Sequence, residues 1–150
     1  MTGLLHGSIR VLLVFLLFAV PRAQAQQMVS VAGAEVNLRS GPGTQHPADW
    51  TLGKGYPLKV LARKGSWLQV VDFENDRGWI YRPLTSSTRY HIVKVDKANM
   101  RSQPTTRSRI LAKLSYGDLL RTLDRKSDWV KVQRPGGLKG WVARRLLWGW

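Results

Sequence analysis

Cysteine is absent from all 150 residues. Its absence excludes thiol catalysis, thiolate metal sites, a lipidated cysteine, and the disulfides by which small exported domains often compensate for a small core. Acidic side chains are scarce, nine against 24 lysines and arginines, which leaves a formal net charge of +15. Histidine occurs three times, at His6, His46 and His91, with no His-Glu-x-x-His spacing; there is also no Gly-x-Ser-x-Gly turn to carry a nucleophile. His46 and His91 read as exposed loop or strand-end residues. After the first 25 residues no window of ten or more sustains an apolar face at helical spacing. No catalytic residue, metal or cofactor is therefore expected.

What is present is a module written twice. Val36, Asn37, Leu38, Arg39, Ser40, Gly41, Pro42 returns as Ala98, Asn99, Met100, Arg101, Ser102, Gln103, Pro104. The same offset, without a gap, pairs Gly55 with Gly117, Trp67 with Trp129, Val70 with Val132, Gly78 with Gly140 and Trp79 with Trp141. Internal repetition at that spacing predicts two small domains, 26–85 and 86–150. A module of about 60 residues buries only about 60% of its unfolded surface and is marginal alone. The linker at Thr85 to Thr88 is too short for independent tumbling, so the two are expected to touch.

Residues 1–25 read as a signal peptide. Arg10 supplies the charge, Val11 to Val20 an apolar run, Pro21 a break, and Ala23, Gln24, Ala25 the small residues for cleavage. The run is shorter than the roughly 20 residues a membrane span takes, so no transmembrane span is expected after cleavage. The positive charge is uneven. Residues 26–85 hold seven basic and five acidic side chains, whereas residues 86–150 hold fifteen and four. Such a field favours anionic partners through long-range attraction.

Short alternating runs indicate five strands per repeat, with a long loop after the second. In each copy a hairpin turn, at Asp72 to Arg77 or at Pro135 to Gly137, precedes the last strand. Many short strands without helices predict an all-β fold, each repeat a small barrel. Asn37, Leu38, Arg39, Ser40, Gly41, Pro42, Gly43, Thr44, with Trp67, Leu68, Gln69, Val70 and Gly78, Trp79, Ile80, resembles the bacterial SH3 family. Asn99, Met100, Arg101, Ser102, Pro104, with Trp129 to Val132 and Gly140, Trp141, Val142, repeats the resemblance. The layout resembles exported two-copy proteins of the alphaproteobacterial type: two tandem SH3-like barrels after a signal peptide. Gln103 and Thr105 replace Gly41 and Gly43, so a long-loop geometry needing positive φ is not expected to be shared.

Strand parity turns Val130 and Val132 inward and Trp129 outward. Burying about 200 Å² of indole contributes up to about 5 kcal/mol, so packing accounts for the repeated tryptophans. Residues present in one copy only are the better site candidates, because the shared fold does not demand them. On that ground Trp50 (in the long loop), Tyr56 and Tyr81 with Arg39 are expected to line a ligand groove. Arg121, Arg125, Lys126, Lys131, Arg134, Lys139, Arg144 and Arg145 are expected to face an anionic partner. Asp49, Asp72, Glu74 and Asp76 make no convincing glycosidase pair, since the last three face Arg134, Gly136 and Leu138 in the other copy. The resemblance implies a non-enzymatic exported binding protein, periplasmic or secreted, engaging peptidoglycan or another anionic envelope component. The alternative is an adaptor for a peptide of another envelope protein. The export signal weighs against nucleic acid, and the sequence leaves the oligomeric state open.

Overall fold

The computed structural model describes residues 26–150, so the segment read as a signal peptide lies outside the described residues. The first domain contains β1 (Met28–Val31), β2 (Val36–Arg39), β3 (Ala48–Leu52), β4 (Pro57–Lys64), β5 (Trp67–Val71), β6 (Arg77–Tyr81), a 3₁₀ turn (Arg82–Leu84) and β7 (Thr85–Ser86). The second repeats the order as β8 (Tyr90–Val93), β9 (Lys97–Arg101), β10 (Ile110–Ser115), β11 (Leu119–Lys126), β12 (Trp129–Gln133), β13 (Lys139–Ala143), a 3₁₀ turn (Arg144–Leu146) and β14 (Leu147–Gly149). The protein is all-β. Each half is a seven-stranded antiparallel sheet, ordered β3-β2-β6-β5-β4-β1-β7 and β10-β9-β13-β12-β11-β8-β14, and each is an SH3-like domain.

Seven strands stand where five were expected. The additions are edge strands. β3 is exposed at every position but Leu52, so it shows no apolar period; its order comes from pairing with β2, Leu38 opposite Trp50. β7 closes the sheet against β1, with Val31 opposite Thr85. The long β4 and β11 each carry a bulge, between Val60 and Ala62 and between Thr122 and Asp124. A bulge bends its strand, and here it turns Leu61 and Leu123 out to solvent.

Alternation builds each core. Val29, Val31, Leu38, Leu58, Leu68, Val70 and Ile80 are buried in the first domain, and Val93, Met100, Leu120, Val130, Val132 and Val142 in the second. Compensation is visible between them: Val36 and Leu38 become Ala98 and Met100, one side chain smaller and one longer. The repeated Gly-Trp has a steric cause. A Cβ at Gly78 would run into the Leu38 side chain, and one at Gly140 would lie 2.6 Å from Met100 Cγ and 2.9 Å from the Arg101 carbonyl oxygen. Only glycine lets β6 and β13 approach β2 and β9 so closely.

The domains touch. Ser30 Oγ donates to the Thr88 carbonyl at 2.8 Å. Phe73 lies against Tyr116 across the junction at 5.3 Å between ring centroids, and Tyr56 stands behind Phe73 at 6.3 Å. At Gly55, with φ of 88°, a Cβ would sit 2.7 Å from the Tyr90 ring.

Candidate functional site

The long loop between β2 and β3 is built alike in both domains. Ser40 donates to the Pro47 carbonyl at 3.1 Å, Gly43 to Gly41 at 3.0 Å and His46 to Gly43 at 3.2 Å. In the second domain Ser102 donates to Arg109 at 2.9 Å, Thr105 to Gln103 at 2.8 Å and Ser108 to Thr105 at 3.2 Å. Neither Gly41 nor Gly43 has a positive φ, which corrects the expectation that losing these glycines prevents a shared loop. An arginine locks each loop from the strand behind it. Arg39 Nη1 donates to the His46 and Thr44 carbonyls at 2.8 and 3.3 Å, and Arg101 Nη1 donates to the Ser108 carbonyl at 2.9 Å.

That locked loop forms one wall of a cleft of about 600 Å³ in the first domain. Pro42 and Thr44 come from the loop, Glu35 and Asn37 from the turn into β2 and from β2 itself, and Trp67 and Tyr81 from β5 and β6. Trp67 pairs with Tyr81 in register, and their rings meet at 5.4 Å and 45°. Strand alternation buries Leu68 and Val70 beneath them, which leaves the two aromatic rings on the outer face. Tyr81 remains 40% exposed. An apolar wall with a few convergent polar groups is the usual form of a small ligand site.

Of the four residues expected to share a groove, Arg39 and Tyr81 line this cleft and the other two do not. Trp50 lies in strand β3, not in the loop, and is 54% exposed at the sheet edge. Tyr56 donates to Asp72 Oδ2 at 3.3 Å, packs against the first-domain core and stands behind Phe73, the ring that meets Tyr116 of the second domain. Burial, then the nearby Asp72 carboxylate, holds its hydroxyl pKa well above the ordinary tyrosine value. Asp72 is a turn residue: its Oδ1 accepts the Glu74 and Asp76 amides, both at 2.9 Å. Trp67 is the cleft residue that sequence reasoning assigned to packing, because its repetition as Trp129 made it look like a demand of the fold.

In the second domain the cleft changes character. Trp129 persists, but Ala143 stands for Tyr81 and Lys97 for Glu35. Trp129 there borders a depression of about 540 Å³ with Lys94, Asp128, Arg144 and Arg145. The rest of the expected basic set is spread over the domain. Arg121, Arg125 and Lys126 lie on β11, Lys139 on β13 and Arg134 in the turn between β12 and β13. Lys131 places its Nζ 6.0 Å from the Trp141 ring centroid, a cation–π geometry. Partial burial, then the like charges of Arg89, not among the residues expected from sequence, and of Arg144, hold the Arg125 guanidinium pKa below its ordinary value.

His91 also differs from expectation. It is 2% exposed, with Nδ1 2.6 Å from the Thr122 hydroxyl. Burial, then the Arg125 charge, depresses its pKa to about 4, against a hydrogen bond to the Trp150 backbone that acts in the other direction. Among the described residues no group of three or more His, Cys, Asp or Glu side chains gathers where it could hold a metal ion. No helix among them is long and apolar enough to cross a membrane.

Two SH3-like sheets, each with an arginine-locked loop beside an outward tryptophan, define a tandem SH3 protein. The chain belongs to the bacterial SH3 domain family: residues 32–87 match one bacterial SH3 domain model and residues 96–147 another. Over 134 residues it is 26% identical to a protein of Bacillus subtilis (strain 168) named as the putative N-acetylmuramoyl-L-alanine amidase YrvJ. The match covers 82% of this chain and 26% of that protein. Similar solved structures are NlpC1 from Trichomonas vaginalis, at 18% identity and TM-score 0.38 over 91% of this chain and 50% of that one, and NlpC2 from the same organism. NlpC2 gives 17%, 0.37, 83% and 48%. An NlpC/P60 family protein from Bacillus cereus ATCC 10987 gives 14% identity and TM-score 0.38, with 83% and 56% covered.

The relative corrects the functional expectation. A non-enzymatic binding protein or adaptor was expected, and the sequence relative sharing most of this chain is named as an enzyme. The expectation that the protein takes no part in catalysis falls with it.

Proposed function

We propose that the chain serves enzymatic breakdown of the cell wall, at the envelope or outside the cell, as the substrate-gripping part of an amidase-type peptidoglycan hydrolase. The observation that carries this reading is the Trp67–Tyr81 wall of the first-domain cleft. Aromatic faces set beside Asn37, Glu35 and a fixed loop suit a polymer that alternates apolar ring faces with amide and hydroxyl groups. Support for the reaction class comes from the relative, an amidase by name, of which this chain spans 26%. The cleft holds the strand, and the bond broken is the amide joining sugar to peptide.

Release of peptides with free L-alanine amino termini from purified peptidoglycan tests the reading, with the chain alone and with the chain joined to an amidase catalytic domain. Release above that of the catalytic domain by itself is expected. Trp67→Ala with Tyr81→Ala should lower this excess about tenfold, since each aromatic contact contributes about 0.5–1.5 kcal/mol. An excess untouched by the double substitution overturns the assignment of the cleft. No excess in either arm overturns the enzymatic reading itself.

A further inference from the structure

The second domain carries a cluster of like charges that its packing does not explain. Three separate segments bring it together. The Arg89 carbonyl accepts the Thr122 amide at 3.0 Å, which lays the segment before β8 along β11. Arg125 lies further along β11, opposite Val130. Arg144 opens the second 3₁₀ turn, its amide donating to the Asp128 carbonyl at 2.8 Å beside the β11–β12 hairpin. Arg89 and Arg125 line a hollow of about 340 Å³ with Gln26, Met28 and Trp150. Arg144 lines the depression on the other side, with Asp128 and Trp129. It stands one residue past Ala143, which pairs with Trp129 opposite Lys126. None of these residues belongs to the first-domain cleft.

Partial burial, then the charges of Arg89 and of Arg144, lower the pKa of the Arg125 guanidinium. Asp124, next in sequence, turns Oδ1 to the Arg125 backbone amide at 2.7 Å. Like charges held together cost free energy, so the cluster is not a stabilising device. The first domain contains the same arrangement in weaker form. Arg63 and Arg82 occupy the positions of Arg125 and Arg144, around a hollow of about 390 Å³, but Gln27 stands for Arg89. Two arginines thus recur at one place in both domains, and the second domain adds a third.

We infer that Arg89, Arg125 and Arg144 form a phosphate-binding site on the second domain, separate from the peptidoglycan cleft and independent of its assignment. One guanidinium fork satisfies a carboxylate; three forks from three chain segments match the several oxygens of a tetrahedral phosphate. A phosphomonoester or phosphodiester, displayed by a lipid headgroup or by a soluble phosphorylated saccharide, supplies that chemistry.

The test uses the chain from residue 26 to residue 150. Inorganic phosphate and pyrophosphate are titrated while the arginine side-chain NMR signals are followed, and co-sedimentation is measured with phosphatidylglycerol and with phosphatidylcholine vesicles. The expected result is saturable binding that weakens about tenfold in Arg125→Gln and hardly at all in Arg134→Gln, a basic residue outside the cluster. Gln27→Arg completes the triad in the first domain and should raise the number of pyrophosphate sites from one to two. Binding to phosphatidylglycerol vesicles that pyrophosphate displaces assigns the phosphate to a lipid headgroup. Pyrophosphate binding without vesicle binding assigns it to a soluble molecule. Equal weakening by Arg125→Gln and Arg134→Gln, or no saturable binding to either probe, overturns the site.

Discussion

The two domains share a frame and differ at its margins. Leu58 and Leu120, Val70 and Val132, Ile80 and Val142 fill equivalent core positions, and both long loops hang from the same arginine. Yet where the first domain sets Tyr81 and Glu35 around its cleft, the second has Ala143 and Lys97. Where the first has Gln27, the second completes a triad with Arg89. The frame tolerates these exchanges because they fall on outward positions of the strands and on the segments that flank them. One layout therefore supports an aromatic cleft in one copy and a cationic cluster in the other. Two exchanges that enter the frame itself, and one where the copies meet, offer ways to break the comparison.

The largest expected effect concerns His91, which replaces Val29 in the core, with Thr122 in place of Val60. Its folded-state pKa, about 4, lies below the ordinary 6.5. Between those values the unfolded chain holds a proton that the folded chain refuses, so stability rises with pH across the window. The contribution is complete above about pH 6.5 and is lost as pH falls toward 4, a loss on the order of 3 kcal/mol. Urea unfolding at pH 7 and at pH 4.5 should show this loss, in excess of the general effect of acid on the carboxylates. His91→Val with Thr122→Val, which copies the first domain, should remove the excess. An unchanged pH difference in the double variant would place the acid sensitivity elsewhere.

Next comes the loop. A Cβ at Gly41 would lie 2.6 Å from the His46 ring, whereas Gln103 faces the small Ser108 at the same places. The pairs Gly41 with His46 and Gln103 with Ser108 are alternative solutions of one geometry. Gly41→Ala should cost about 1–2 kcal/mol, and His46→Ser in the same chain should recover most of it. The double-mutant cycle read by thermal unfolding gives the coupling directly. Additive costs would show that the ring turns aside freely.

Repetition made the frame legible from sequence, and it also set the limit. Alternation at Leu68 to Val70 and Val130 to Val132 marked the inner faces correctly because those strands bury one side. β3 was invisible because exposed residues carry no period and its pairing is supplied by β2. Trp67 was hidden by its own repetition. His91 looked like a strand-end polar residue, although its counterpart Val29 is apolar, and that mismatch in the repeat was the available signal. Arg89 lay just past what read as linker, where charge implies nothing until the sheet brings β11 beside it. The rule that unrepeated residues mark sites separated two roles imperfectly. Tyr81 went to the cleft, but Trp50 went to the sheet edge and Tyr56 to the first-domain core behind the junction.

The junction carries the smallest effect and the sharpest contrast. Tyr56, Phe73 and Tyr116 correspond to Asp118, Pro135 and Lys54, so none of the three aromatics is required by the fold of a single domain. Tyr56 and Phe73 meet within the first domain at 6.3 Å, and Phe73 meets Tyr116 of the second at 5.3 Å only because one copy faces the other. Phe73→Ala should therefore weaken the coupling between domains by about 0.5–1 kcal/mol while leaving each core intact. Hydrogen exchange separates these consequences. Protection at Leu68 and Val130, deep in the two cores, should hold, whereas protection at Tyr90, packed against Gly55 at the junction, should fall. If both cores lost protection together, the domains would have to be regarded as one cooperative unit, and the aromatic junction as part of its core.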